Sequence, residues 1–336
     1  MLSNHPLGRY NTFGINAVAR RFTIARSIED LEEILKNHDP EDLLVIGGGS
    51  NLLLTTNVIE KTVVLIDLKG IEFREESDKH VRVKAMAGEN WHDFVQNCVQ
   101  HDYGGLENLS LIPGKVGAAP IQNIGAYGVE LKDRFVSCSA IDRKTLEHKS
   151  FTREACEFGY RDSFFKKAGK DRYIITSVTF QLTRKEHELN TSYGAIENLL
   201  QERGIREPGI RHIAQAVIDI RKSKLPDPDQ LGNSGSFFKN PHISQEKLRS
   251  LEEDFPDIPH YYINDTEVKV PAGWLIEKGG CKAFRQGDAG VYPKQALVLV
   301  NYGNASGEDL LLLARRIQDR VQEKFGISIE PEVNIL

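Results

Sequence analysis

Five short segments of the chain carry residue types that can do chemistry, and glycine sets the character of the first two. Leu43-Leu44-Val45-Ile46 runs into Gly47-Gly48-Gly49-Ser50-Asn51. A strand ending in glycines exposes backbone N–H groups, and a phosphate can approach them without interference from Cβ. This is not a dinucleotide fingerprint, because the third glycine position is Leu52 and Leu52 to Thr56 reads as extended chain rather than a helix start. Nor does Gly-Lys-Ser/Thr follow, so it is not a Walker A loop. Taken alone, the segment reads equally as a tight turn at a strand end. The second segment, Ile112 to Gly128, is rich in glycine and alanine and carries the polar pair Gln122-Asn123. It makes a poor regular helix and a poor core strand, and a ligand lying along an accessible backbone explains it better than a plain loop. Two such loops suit a large cofactor with a pyrophosphate.

The other three segments offer side chains. Gly159-Tyr160-Arg161-Asp162-Ser163 sets an Arg between an aromatic and an Asp; Arg can clamp a carboxylate, although a surface ion pair is the commoner use. Gly235-Ser236-Phe237-Phe238-Lys239-Asn240-Pro241 offers a hydroxyl beside two aromatics, with no Gly-x-Ser-x-Gly elbow and no evident base to activate it. Glu330-Pro331-Glu332-Val333 presents a carboxyl near the C-terminus, which reads as a general acid or as an exposed strand-edge Glu.

The totals bound what these groups can serve. The 336 residues suffice for two or three domains. With 40% hydrophobic and 27% charged residues the chain is an ordinary globular one. A net charge of −5 gives no basic excess for nucleic acid, so anionic substrates must meet local basic groups. Cys98, Cys138, Cys156 and Cys281 are scattered without a Cys-x-x-Cys pair, and no His-x-x-x-His occurs; a reducing cytoplasm and no metal site are expected. Met1 to Arg20 lacks the pattern of a signal peptide, and no apolar run is long enough to span a membrane.

Periodicity supplies the scaffold. Helices are expected over Ile28 to Asn37, capped by Ser27; around Trp91 to Val99; over Ile213 to Ile220, ending before Leu225-Pro226; and from Ser306 to Phe325, with Gly326 as a left-handed cap. Strands are expected at Leu43 to Ile46, Thr62 to Leu68, His80 to Met86, Tyr173 to Leu182, Ala296 to Asn301 and Ile327 to Ile329. No steady βαβ beat appears, so the fold class is α+β with mixed sheets. Pro226-Asp227-Pro228 and Gly232-Asn233-Ser234-Gly235 read as a loop or linker, which places a domain boundary near residue 223.

In order and spacing these segments, together with Asn11-Thr12-Phe13-Gly14, Lys224-Leu225-Pro226-Asp227-Pro228 and Ala272-Gly273-Trp274-Leu275-Ile276, resemble the UDP-N-acetylenolpyruvoylglucosamine reductase family over nearly the whole chain. The resemblance implies an FAD-binding module of the vanillyl-alcohol-oxidase type, made of two α+β subdomains (residues 1–70 and 71–222). It adds a third α+β substrate-binding domain (223–326) and a C-terminal strand (327–336) that carries Glu332 to the active site.

The reaction implied is NADPH-dependent, FAD-mediated reduction of UDP-N-acetylglucosamine enolpyruvate to UDP-N-acetylmuramate for peptidoglycan, by a cytoplasmic, monomeric enzyme. Non-covalent FAD is implied along Gly47, Gly48, Gly49, Ser50, Asn51, Pro113, Gly114, Gly117, Ala118, Ile121, Gln122, Asn123, Gly125 and Ala126, with Arg221. Arg161, Ser236 and Glu332 would be catalytic, Ser236 as proton donor and the other two as stabilisers of the developing enolate. Tyr160, Tyr193, Lys224, Asn240, Tyr261, Lys269 and Gln295 would bind substrate, Tyr193 and Tyr261 marking the longer form of the family. One departure is visible: relatives commonly carry Arg where this chain has Asn334, so any charge lost there would have to come from Arg221 or Lys224. The rival reading, a flavin oxidase of the same fold, commonly tethers FAD through a His near the glycine loop, and none lies between Pro40 and Glu60.

Overall fold

A computed structural model describes residues 1–336. The chain divides into two compact units, one of residues 1–5, 19–48 and 59–223, the other of residues 6–18, 49–58 and 224–336.

The first unit holds two main sheets, beside a two-stranded pairing of Gly125–Ala126 with Val129–Glu130. In the smaller main sheet, Leu43–Ile46 lies parallel to Val58–Ile66, with Leu43 opposite Thr62 and Ile46 opposite Leu65. Helix α1 (Ile28–Lys36) covers it, starting at a capping box in which Ser27 and Asp30 each satisfy the other's backbone N–H. Its buried Leu31 and Leu35 join Leu43, Val64 and Ile66 in one core. The larger sheet is antiparallel in the order His148–Thr152, Phe135–Asp142, Tyr173–Thr183, His80–Met86, Ile71–Glu75. Along His80–Met86 the side chains Val81, Val83 and Ala85 are buried, the period of two that a half-covered strand requires. Helix α2 (Trp91–Gln100) supplies the cover through Trp91, Phe94, Val95 and Cys98, and Trp91 and Phe94 meet Phe180 of the sheet. Each large side chain so buried contributes about 1.5–3 kcal/mol before its ordering cost. Helices α3 (Gly194–Glu202) and α4 (Ile210–Lys224) pack together through Ile196, Leu200, Ile213 and Val217.

The second unit is built on an antiparallel sheet of Gly232–Ser236, Val298–Asn301, Ala289–Val291 and Arg285–Gln286. A smaller sheet orders His242–Ser244, Glu267–Lys269 and Tyr261–Tyr262. Between these come helices α5 (Gln245–Asp254) and α6 (Ala272–Lys278), and α7 (Gly307–Phe325) follows. The ends of α7 are set by Ser306, whose side chain caps the first turn, and by Gly326 at φ 61°.

Two expectations need correcting. Gly232–Ser236 is a strand of the main sheet and not a linker: Gly232 lies against the carbonyl of Phe13 so closely that no Cβ fits, which is why small residues fill it. Ile327 to Ile329 is not a strand; Ile327 and Ile329 are buried, but regular pairing starts only further on, at the bridge between Pro331 and Phe238.

Candidate active site

In the first unit the two glycine-rich segments meet. A Cβ built on Gly48 would lie 3.0 Å from Cα of Gly114, so the backbones touch with no room for side chains. The 112–128 segment is fastened on its inner side. Val116 donates to the carbonyl of Glu89 at 2.9 Å and Gly117 to that of Ala87 at 3.0 Å. Residues 116–122 wind as a 3-10 helix. Gly117 is therefore small because Ala87 leaves no space for a Cβ. Asn123, buried at φ 43°, donates to the carbonyl of Gly159 at 3.0 Å and accepts from the N–H of Lys132 at 3.0 Å. These bonds brace the loop at Gly117 and Asn123. Pro113, Ala118, Ile121 and Gly128 are the residues that stay exposed.

Arg161 sits at the tip of a two-residue turn closed by paired backbone bonds between Gly159 and Asp162, with φ 52° at Arg161 itself. Its guanidinium donates to the carbonyl of Gly125 at 2.7 Å and lies over the ring of Tyr160. Ser163 pins the turn by donating to the carbonyl of Ile121 at 2.7 Å. Arg221, on α4, donates to the carbonyl of Leu111 at 3.2 Å and pairs with the Tyr127 phenol. Burial pulls its pKa below the ordinary guanidinium value, and the charge of Arg161 acts in the same direction. The structure thus brings together Arg161, Arg221 and Tyr127, with Tyr193 edge-on to Tyr127 at 5.2 Å between ring centroids. Two guanidinium groups beside phenols form an anion-binding corner.

Tyr127 was not legible as a site residue, although a non-glycine residue at φ 51° between Ala126 and Gly128 signals backbone held for a purpose. His92 was also missed. Its Nδ1 accepts the N–H of Leu111 at 3.0 Å, so the imidazole proton is on Nε2. His92 and Arg221 therefore grip the two ends of one residue at the mouth of the glycine-rich segment.

In the second unit the site is built on the strand ending at Ser236. Its pairing with Val298–Asn301 is interrupted between Asn233 and Ser236, and Gly235 there has φ 72°. A bulge of this kind re-aims a side chain; Ser236 is exposed, while Phe237 and Phe238 are wholly buried and hold the strand in register. The aromatics beside the hydroxyl are thus anchors. The chain's last residues return along this strand: Lys239 donates to the carbonyl of Glu330 at 2.9 Å and Glu332 to the carbonyl of Phe237 at 2.7 Å.

Asn51 secures the tail from its other side. Its Nδ2 donates to the carbonyl of Glu332 at 3.2 Å, and its own carbonyl receives the backbone and side-chain N–H groups of Asn334 at 3.1 and 3.0 Å. Asn51 is thereby a holder of Glu332, and Asn334 has a role of its own in place of an Arg. Gly49, at φ 62°, lies against the Tyr10 carbonyl with no space for a Cβ, and its carbonyl accepts from Thr12 at 3.1 Å. No side-chain hydrogen bond fixes Ser50.

Of the remaining expected contacts, Lys269 reaches over the Tyr261 ring at 5.7 Å across adjacent strands. Asn240 accepts the N–H of Ala272 at 2.9 Å at the start of α6. The Gln295 amide oxygen would lie 3.3 Å from a Cβ on Gly273 of the same helix. Lys224 is exposed at the end of α4. The chain contains no cluster of His, Cys, Asp or Glu able to hold a metal, and no helix is long and apolar enough to cross a membrane.

Residues 19–145 match the FAD binding domain family, and residues 227–336 match the family described as UDP-N-acetylenolpyruvoylglucosamine reductase, C-terminal domain. The fold and site define an α+β protein with an FAD-binding module of the vanillyl-alcohol-oxidase type. A reductase of that name from Flavobacterium johnsoniae is 53% identical over 99% of both chains, and one from Pseudomonas aeruginosa is 49% identical over 97% of this chain and 96% of its own. The crystal structure of the Thermus caldophilus UDP-N-acetylenolpyruvylglucosamine reductase superposes with a TM-score of 0.66 at 25% identity, covering 98% of this chain and 97% of that one. The chain belongs to the UDP-N-acetylenolpyruvoylglucosamine reductase family.

Proposed function

We propose that the chain reduces UDP-N-acetylglucosamine enolpyruvate to UDP-N-acetylmuramate with NADPH, using non-covalent FAD, as a cytoplasmic and monomeric enzyme of peptidoglycan precursor synthesis. The observation that carries this reading is the backbone bond from Glu332 to Phe237, which ties the Glu332 backbone to the strand that bears the exposed Ser236. It occurs in a chain about half identical to reductases named for this substrate.

The residues present fit FAD. Gly48 and Gly114 expose touching backbone, and Arg221 adds positive charge to the same unit. Thr12 Oγ1 is a buried hydroxyl without a hydrogen-bond partner, and Thr12 is bonded through its backbone to Gly49. Buried hydroxyls in that state cost free energy unless a ligand satisfies them. Gly47, Gly48, Gly49, Ser50, Asn51, Pro113, Gly114, Gly117, Ala118, Ile121, Gln122, Asn123, Gly125, Ala126 and Arg221 would hold the cofactor, and Gly117, Asn123 and Asn51 also brace the segments that carry them. When bound, FAD would supply two-electron transfer between NADPH and the enolpyruvyl double bond.

The chain's own groups then handle charge and proton. Arg161, fixed by the Gly125 carbonyl, would offset the negative charge that develops on the substrate carboxylate, and Glu332, whose backbone is tied to the Phe237 carbonyl, would stabilise it by hydrogen bonding when its carboxyl is protonated. Ser236 Oγ gives its proton to the adjacent carbon; a serine is a weak acid, but a carbanion-like centre is a strong base. Tyr160, Tyr193, Lys224, Asn240, Tyr261, Lys269 and Gln295 hold the sugar nucleotide, the lysines meeting its diphosphate in a chain of net charge −5. We assign residues 1–70 and 71–222 to the two cofactor subdomains, 223–326 to substrate binding, and 327–336 to the tail that delivers Glu332.

The test is to mix FAD-loaded protein with NADPH and UDP-N-acetylglucosamine enolpyruvate and follow both. NADPH loss matched one for one by UDP-N-acetylmuramate supports the reading. NADPH loss that does not respond to the sugar nucleotide contradicts it.

A further inference from the structure

Asn108 belongs to none of the groups assigned above, yet it is wholly buried in a 3-10 turn and its amide joins two of the segments that matter. Nδ2 donates to the carbonyl of Tyr127 at 3.1 Å and to the carbonyl of Asn190 at 2.9 Å. Asn190 answers in kind: its Nδ2 donates to the carbonyl of Gly128 at 3.1 Å, and its Oδ1 accepts from Ser192 Oγ at 3.0 Å. Two asparagine amides thereby stitch the stem of the Tyr193 segment to the Tyr127–Gly128 turn, just where the rings of Tyr127 and Tyr193 meet.

Packing holds the flanks of this link, Tyr127 and Leu189 lying against buried apolar clusters, while residues 190–194 bring Tyr193 alone as a large apolar side chain. Behind it opens a pocket of about 470 Å³ lined by Asn108, Gly128, Arg134, Asn190 and Ser192. Ser192, Tyr193 and Gly194 are exposed. A segment with solvent on one side and a pocket on the other is held by its hydrogen bonds. The turn it is tied to is itself unusual backbone, with Tyr127 at φ 51° and Gly128 at φ 78°, so the carbonyls of residues 127 and 128 face the stem only while that conformation persists.

We propose that Asn108 is a positioning residue for Tyr193: it locks the stem of that segment to the Tyr127 turn and so sets affinity for the sugar nucleotide without taking part in reduction of the cofactor. The proposal rests on the assignment of Tyr193 to substrate binding. Asn108→Leu keeps the side-chain shape and removes both N–H donors. The holoenzyme keeps its FAD and its rate of flavin reduction by NADPH. Its Kd for UDP-N-acetylglucosamine enolpyruvate rises about tenfold or more, since loss of the two bonds frees the stem. In a Tyr193→Ala background the same substitution adds nothing, because the group it positions is gone.

An unchanged Kd, equal losses in binding and in flavin reduction, or an effect that adds in full to that of Tyr193→Ala overturns the proposal. If Asn108→Leu does not fold, Asn190→Ala removes only the bonds made by a half-buried side chain, and the same cycle judges it. Tyr193→Ala alone separates the two claims. If it leaves the Kd unchanged, Tyr193 is no substrate group and the proposal falls with it; if it weakens binding while the Asn108 and Asn190 variants do not, only the positioning role fails.

Discussion

The N–H of Glu332 donates to the carbonyl of Phe237 at 2.7 Å, which fixes the backbone of Glu332 across from the residue that follows Ser236 on the paired strand. Phe237 cannot shift to follow a moving tail, because its ring is buried against Phe13 and Phe238. The backbones of Ser236 and Glu332 are thereby held on one frame, the condition that the proposed proton donor and its partner require.

Ser236→Ala removes a hydroxyl that is exposed, so it leaves folding and FAD content intact. Reduction by NADPH proceeds at its normal rate, while reoxidation by the sugar nucleotide falls about 10²- to 10⁴-fold, the range for loss of a positioned general acid. Stopped-flow measurement of the two half-reactions checks this, and equal loss in both contradicts the proton-donor role.

Deleting Asn334 to Leu336 removes the parallel pairing with Leu52 and Leu53 and the two bonds from Asn334 to Asn51. Glu332 then keeps its bonds to Phe237 and Asn51 but loses the strand pairing that follows it. We expect kcat to drop about tenfold or more from misplacement alone, with FAD retained. Asn334→Ala removes only one neutral hydrogen bond and costs about 1 kcal/mol of stability, read from urea unfolding.

Gly49→Ala and Gly14→Ala give a matched pair. Both positions have positive φ, 62° and 67°. Only Gly49 is also hemmed in by the Tyr10 carbonyl, whereas nothing lies within 4 Å of a Cβ on Gly14. Gly14→Ala should cost about 1–2 kcal/mol, and Gly49→Ala should yield protein that fails to fold or to retain FAD. Similar melting temperatures for the two variants would contradict the steric account.

His92 gives a pH dependence of known sign. Burial lowers its pKa, and the Lys222 and Arg221 charges lower it further while Asp93 opposes them. The folded state therefore prefers the neutral ring that accepts the Leu111 N–H. Its stabilising contribution is full above the unfolded value of about 6.5 and is lost as pH falls toward the folded pKa. Thermal unfolding from pH 7.5 downward should show this loss, and His92→Asn, which offers an uncharged acceptor, should flatten it. A His92→Asn profile as steep as that of the parent would sink the idea.

What the sequence made legible follows the range of the forces involved. Helices α1 and α7 were readable to within a residue, because Ser27, Ser306 and Gly326 are local signals that act within one turn. So were the strands at residues 43–46 and 80–86. The strand at 232–236 was not, because its glycine serves close approach to Phe13, more than two hundred residues away in the chain. Helices α3, α5 and α6 were missed as well, being short and weakly patterned. In the site, residue types suggested Ser236, Arg161 and the glycine loops, but the bracing by Asn51, Asn123, His92 and Asn108 depends on partners that only the fold supplies.

The most direct test of the central claim is the visible spectrum of the purified protein under anaerobic conditions, recorded before NADPH, after it, and after UDP-N-acetylglucosamine enolpyruvate. The account predicts a flavin band that bleaches with NADPH and returns only when the sugar nucleotide is added. A colourless protein that FAD cannot reconstitute, or a bleached flavin that the sugar nucleotide leaves unchanged, would contradict it.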